Sequence, residues 1–459
     1  MRRRLLRFAP LAAIACLGPG PVRAEGPSYH GEVEPIVRRH CQECHRPGQV
    51  APFSLLTYEQ VRKRADDIAT VTEARTMPPW HASTTEGGPF RDVRVLSEGE
   101  IKTLADWVEA GCPEGDRSKA PPPRTFASDW ALGEPDLVLT MPEPYELAAE
   151  GKDELRVFVV PTGLAEGRWV AAVDFRPGNR KVVHHVLAAF DATGAARKRD
   201  AADPKPGYAS LAGFGLPPTA MLAGIARAQV GGLGGWAPGK APHPLPEGVG
   251  RYIPSGADIL IQAHYHRSGK VERDATSIGL YFAKTPIDKV VHPGAVVPPR
   301  RSILARPDLH IPAGDPAYEV RGSLTVRDDS HLFAIVPHMH WLGKDFRLDA
   351  IPPDGTSRTL IRVDRWDFNW QDTYEFREPV ALPRGTRIEL IAHFDNSAAN
   401  PANPSKPPVA VGWGEQTTDE MCIGFLQMTR DAEHLGNRPP GRSPLPAGLD
   451  REGGLNRPK

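Results

Sequence analysis

Residues 330–340 read Ser-His-Leu-Phe-Ala-Ile-Val-Pro-His-Met-His, SHLFAIVPHMH, and Trp341, Leu342, Gly343 and Lys344 follow. The run is short, apolar and β-branched, and it reads as a strand. His338 and His340 are two apart, so a strand projects both rings from one face. Two imidazoles so placed can hold a metal, or they can be ordinary surface histidines. The stretch alone leaves that open.

The same character recurs along the chain and sets the fold class. LRVFVVP (155–161), KVVHHVLAAF (181–190), ADILIQAHYH (257–266) and TRIELIAHF (386–394) alternate with Gly/Pro/Asp clusters. Short, evenly punctuated runs of this kind describe all-β sandwiches. The region is too long for one, so two sandwiches are expected, over 128–303 and 304–434. The glycine-rich stretch 206–250 reads as a long loop insertion.

Residues 25–118 read differently. Val61, Ala65, Ile68 and Val71 recur at helix spacing across Tyr58 to Ala74. Ser97-Glu-Gly-Glu100 is a capping-box pattern ahead of Ile101, Leu104 and Val108, with Gly111 at the stop. The expectation is a small all-α domain, then a proline-rich linker over 119–127 (KAPPPRT at 119–125). The tail, 435–459, has too little apolar content to pack and is expected to be disordered.

The first 24 residues combine a basic start, an apolar run from Leu11 to Leu17 and a small-residue end at Ala24. That is a signal-peptide pattern, which implies a periplasmic or secreted protein. Lipoprotein processing at Cys16 is the less favoured alternative. No segment is long enough to be an integral membrane span. Lys+Arg and Asp+Glu balance at 56 each, so nothing points to nucleic acid. With five cysteines and 16 histidines, the chain is no disulfide scaffold, and its histidines carry the information.

His40-Cys-Gln-Glu-Cys-His45 contains CxxCH. Cys41 and Cys44 at this spacing can add to the two vinyl groups of a haem, and His45 then reaches the iron. A redox dithiol is the competing reading. Met77, in Arg75-Thr-Met-Pro-Pro79, is the candidate sixth ligand, with His81 as the fallback. The segments CHRPGQVAPFSLLTYEQ (44–60), TMPPW (76–80) and LADWVEAGCPEGD (104–116) resemble a class of bacterial c-type cytochrome domains over residues 28–116.

Further on stand His184-His185, His264 and His266, His338 and His340, and Met421 in Thr418-Asp-Glu-Met-Cys422. Adjacent His184 and His185 would face opposite ways on a regular strand, so joint ligation needs a twist or bulge. Histidines without clustered carboxylates suit copper or zinc rather than magnesium or calcium. A zinc hydrolase would want a nearby carboxylate base. A redox neighbour in the same chain favours copper, and copper(I) accepts a thioether such as Met421.

The order HH, QAHY, HMHWLGK, DEMC resembles the copper type II ascorbate-dependent monooxygenases, which include peptidylglycine α-hydroxylating monooxygenase and dopamine β-hydroxylase. The resemblance spans roughly 128–430 and includes Trp236-Ala and LPEGVG (245–250). It implies two jelly-roll-like sandwiches, each with one copper, separated by a solvent cleft. His184, His185 and His264 would bind the electron-storing copper. His338, His340 and Met421 would bind the copper at which dioxygen is activated. Gln262 would support the third histidine, whereas His266 has no counterpart and reads as a cleft or surface residue, with a spare ligand as the alternative. The implied reaction hydroxylates a C–H bond: one oxygen atom enters the product, the other leaves as water, and two electrons are consumed. An external reductant, ascorbate or an electron-donor redox protein, would supply them, and the haem would relay them.

Peptide-amidating members anchor a substrate carboxylate at positions that here are Val336, Ile423 and Phe425. A small-molecule or peptide-like substrate lacking that anchor is implied. Cys112 and Cys422 are the remaining cysteines of the mature chain, and a bridge between them is one option. Two other function classes stay open at this stage. One is a non-enzymatic copper-binding or electron-transfer protein, and the other a cytochrome with a β docking module that binds no copper.

Overall fold

The computed structural model describes residues 26–440 except 123, 127–129, 211–212, 218–228, 238–239, 301–304 and 415. The expected signal peptide, Cys16 and residues 441–459 of the tail lie outside the described residues. Strand is the main regular structure, arranged as two sandwiches with a small helical region before them.

The first sandwich has one sheet ordered Tyr208–Ala209, Glu154–Pro161, Asp258–Tyr265, Val183–Asp191, Val230–Trp236. The opposing sheet contains Val249–Ile253, Arg168–Arg176 and Ser277–Phe282. Phe158, Val186, Ile259 and Ile261 from one sheet meet Val170, Ile253, Ile278 and Leu280 from the other. Asp258–Tyr265 is buried along its whole length. A second apolar layer, with Val157, Leu260, Tyr208 and Ala196, covers its other face. That double covering explains why Ile259, Leu260 and Ile261 are all apolar rather than alternating. Two strands here, Tyr208–Ala209 and Val230–Trp236, come from the glycine-rich stretch expected to be loop.

The second sandwich packs Arg358–Val363, Gly343–Ile351, Arg387–Phe394 and Tyr318–Thr325 against His292–Val296, Cys422–Arg430, Ser330–Met339 and Tyr374–Leu382. His292–Val296 pairs with Cys422–Arg430, so this sandwich begins before the expected boundary at 303/304. Lys289 joins the two units by donating to the carbonyls of Arg430, Asp431 and Glu433 at 2.9–3.0 Å.

The N-terminal region departs from the all-α expectation. Helices Glu34–His40, Tyr58–Arg62, Ala65–Glu73 and Glu98–Glu109 pack around Val33, Val37, Leu104 and Trp107. The helix expected over 58–74 is broken at Arg64, and the Ser97–Glu100 capping box forms. Between them, however, Ala82–Gly87 is a strand paired with Arg358–Val363. Ala82 and Phe90 are buried in the second sandwich's core. An unpaired sheet edge takes up a β-branched segment that has no helical face to bury.

Two smaller expectations also change. Residues 435–437 are pinned to the first sandwich rather than free: Asn437 exchanges hydrogen bonds with Ile287, and the Leu435 N–H donates to the Asp288 carbonyl. Cys112 and Cys422 are both free and buried, one in the helical core and the other in the second sandwich. They form no bridge because each belongs to a different core.

Candidate copper and haem sites

His185 pairs directly with His264 across the sheet, while the next pair is Val183 with Tyr265. His184 is therefore the extra residue of a β-bulge. The bulge lets two adjacent histidines share a face that a regular strand would deny one of them. One ring nitrogen from each of His184, His185 and His264 lies within 4.8 Å of the other two. His184 Nδ1 and His185 Nδ1 face each other at 3.2 Å, and His264 Nδ1 is buried without a partner. Burial pushes His184 down to about 3, helped by His264 and His266, and depresses His185 strongly. Neutral, converging imidazoles with an orphaned ring nitrogen are a donor set suited to a soft or borderline metal such as copper.

His266 sits in a cleft beside the cluster, its side chain 38% exposed. Its ring lies 4.6 Å from His184 and 5.1 Å from His264. Asp153 accepts hydrogen bonds from His264 Nε2 (3.2 Å) and His266 Nδ1 (2.8 Å). Burial opposes the charge on Asp153, yet these two imidazole bonds hold it well below the usual carboxylate range. The hydrogen bond from Nε2 leaves Nδ1 as the free nitrogen of His264. The alternation of His264 and His266 signalled a shared face in the sequence, but nothing there marked Asp153. Gln262, two residues earlier and buried, donates to the Gly213 carbonyl and so anchors a loop over this sheet.

The second cluster rests on the pairing of Ser330–Met339 with Cys422–Arg430. Met339 lies opposite Cys422, which brings Met421 level with His340. His338 and His340 rings are 5.2 Å apart, and Met421 is buried. His338 Nδ1 donates to Gln371 Oε1 at 2.6 Å, and His340 Nδ1 to the Asp419 carbonyl at 3.0 Å. Both rings thus keep Nε2 available. Burial, then the neighbouring His340, pushes His338 down to about 3. The Glu420 carboxylate accepts the backbone N–H groups of His340 (2.8 Å), Leu342 (2.6 Å) and Met421 (3.3 Å), tying the thioether strand to the histidine strand. Two imidazoles and a thioether fit copper(I).

The two clusters are not separated by an open cleft. Phe368 stacks on His184 at 5.5 Å and 20°, and meets His340 edge-on at 5.8 Å and 82°. The loop between Arg358–Val363 and Tyr374–Leu382 carries this ring into the space between the sandwiches.

At the CxxCH segment, His45 is half-buried, and its Nδ1 donates to the Phe53 carbonyl at 3.2 Å, which leaves Nε2 for a ligand. Burial raises the Cys44 thiol and pushes Cys41 up to about 12, the wrong direction for a reactive dithiol. A cavity of about 1400 Å³ is lined by Cys44, Arg46, Phe126 and Arg180 on one side and reaches His184 and His266 on the other. It exceeds ordinary ligand pockets of roughly 300–1000 Å³. The free His45 Nε2 beside Cys41 and Cys44 suits covalent attachment of a haem, and of the expected haem residues Cys44 alone lines the cavity. Met77 is 44% exposed, while His81 has its Nε2 buried and unpartnered.

The remaining histidines mostly pair with carboxylates, as His292 with Glu433, His331 with Asp431 and His243 with Asp92. Among the described residues no helix is long and apolar enough to cross a membrane.

No family model matches the chain. The DBH-like monooxygenase protein 1 of Gallus gallus is 22% identical over 206 residues, covering 42% of this chain and 32% of that protein. Its namesake from Mus musculus is 25% identical over 128 residues, covering 25% and 19%. The chain thus spans a third or less of the length of these relatives. Among solved structures, the infectious bursal disease virus VP2 subviral particle gives a TM-score of 0.19 at 9% identity, covering 70% of this chain and 79% of that one. PNGF-II gives 0.22 at 12%, covering 65% and 60%. Neither superposes well enough to bear on the fold. Weak sequence similarity over part of its length relates this chain to the DBH-like monooxygenases.

Proposed function

We propose that the protein is an exported, haem-linked copper monooxygenase that hydroxylates a C–H bond of an apolar substrate group. The observation that carries this is the pair of unlike donor sets facing each other across Phe368, one of imidazoles alone and one with a thioether. A copper carrier has no need of two different sites. When bound, copper at the His338, His340 and Met421 set would supply dioxygen activation, and copper at the His184, His185 and His264 set a stored electron. Gln371 and the Asp419 carbonyl hold the two histidines in the tautomer that presents Nε2. Glu420 holds Met421 beside them.

The same strand pairing supports an apolar substrate group. Val336 lies opposite Phe425 and Ile423 opposite His338, on the face that carries the ligands. Phe425 is 41% exposed, and its ring is 6.2 Å from His338. This surface offers contact to apolar groups and no anchor for a carboxylate.

The haem relay is supported by the cavity that runs from Cys44 to His184 and His266. Cys41, Cys44 and His45, with Met77 or His81, would hold a haem, which would supply single-electron exchange with ascorbate or a donor protein. The test is oxygen-isotope labelling against a metabolite extract, with protein of measured copper and haem content. Two coppers, one haem and a singly labelled product are expected. A fully loaded, reduced protein that labels nothing would sink the enzyme reading.

A further inference from the structure

We infer that Phe368 is a positioning residue that fixes the two histidine clusters one aromatic ring apart and keeps the space between them dry. The inference rests on the two-copper reading above.

Phe368 is 5% exposed, yet it belongs to neither sandwich core. Its ring neighbours are His184, His340 and Trp341, the last at 4.6 Å. A buried phenyl surrounded by candidate ligand rings contributes little to either fold. It has no atom that ligates or titrates, so what it offers is shape, planarity and exclusion of water.

The surrounding loop holds the ring in register with the second cluster. Trp366 donates its indole N–H to the His340 carbonyl at 3.0 Å. Gln371 donates to the Phe368 carbonyl at 3.1 Å while its Oε1 accepts from His338. Asp367 Oδ1 accepts the Asn369 N–H at 2.9 Å and closes the turn. Gln371 therefore bridges Phe368 and His338, while Trp366, two residues before Phe368, ties the same loop to His340. Phe368 moves with His338 and His340, and its face lands on His184 of the other sandwich. That single contact converts a loop of the second unit into a gauge of the distance to the first.

The experiment compares continuous-wave EPR spectra of protein loaded with two cupric ions, with copper content measured on each sample. Wild type and Phe368→Tyr, which keeps the ring, are expected to give two cupric components whose lines are broadened by the dipolar interaction between them. Phe368→Ala and Phe368→Leu, still holding two coppers, are expected to lose that broadening and show two independent signals. The leucine variant keeps most of the apolar volume, so it decides the matter if the alanine variant does not fold. Broadening that persists without the ring overturns the inference and leaves the two-copper reading intact. Wild type that binds fewer than two coppers overturns that reading and the inference with it.

Discussion

His185 lies directly across the sheet from His264, and the bulged residue beside it, His184, reaches the same face without a partner of its own. Three imidazoles thus converge from only two strands. His185→Ala is expected to lower bound copper from two to one per chain and to remove one of two cupric EPR components. The signal from the methionine side should survive. Copper analysis that still finds two ions would show that these rings do not form a metal site.

Glu420 predicts a different phenotype. Its carboxylate is fully buried and accepts three backbone N–H groups, two of them on either side of Trp341. Burial raises this carboxyl to about 8, against the three donors that favour its charged form. Glu420→Ala leaves those donors unsatisfied, at a cost of about 3 kcal/mol or more. The melting temperature should fall by roughly 6–12 °C. Glu420→Gln, which keeps one acceptor oxygen, should lose less. Both should weaken copper at the methionine site while leaving the three-histidine site loaded. Calorimetry of the apoprotein paired with copper titration reads both effects, and an unchanged melting temperature in the alanine variant would contradict them.

Sequence pattern reached some of this and missed the rest for physical reasons. Short β-branched runs between Gly/Pro/Asp clusters exposed the strands, and HMH at 338–340 exposed one ligand pair, because both signals are local. The bulge at His184 is not local, since it depends on how Val183–Asp191 registers with Asp258–Tyr265. Ala82–Gly87 was hidden for the same reason, since its partner strand lies some 276 residues on, as the Glu86–Arg362 ion pair shows. Asp153 and Phe368 sit in loops with no periodicity at all. His266 was legible as the second half of HYH, but the family pattern gave it no role.

The buried histidines predict an acid-labile apoprotein. The ordinary histidine value is about 6.5, and burial holds His184 and His338 at about 3, with His185 and His340 also depressed. Between those limits the unfolded chain binds protons that the folded chain refuses, so stability falls as pH falls. His184 and His338 each remove at most about 1.4 kcal/mol per pH unit, fully retained above 6.5 and exhausted below about 3. Melting curves of metal-free protein should shift down steeply from pH 6.5 to 4. His184→Gln with His338→Gln should flatten that slope. A slope identical to wild type would mean that these rings titrate normally in the folded state.

The apolar surface beside His338 makes the last prediction. Val336 faces Phe425 and Ile423 faces His338 across the strand pair, which puts three apolar side chains on the histidine face. Val336→Arg places a guanidinium in that patch, which must shed water against Phe425 or draw in an anion. Products of wild-type turnover, labelled with heavy oxygen in a metabolite extract, should be dominated by molecules apolar near the new hydroxyl. In the arginine variant those products should fall about tenfold, the equivalent of roughly 1.4 kcal/mol in recognition. Carboxylate-bearing products should appear or rise, because Arg binds a carboxylate in bidentate fashion. Measured copper content must match wild type, so that the change reports recognition and not loss of metal. An identical product profile in the two proteins would place the substrate elsewhere than against this strand pair.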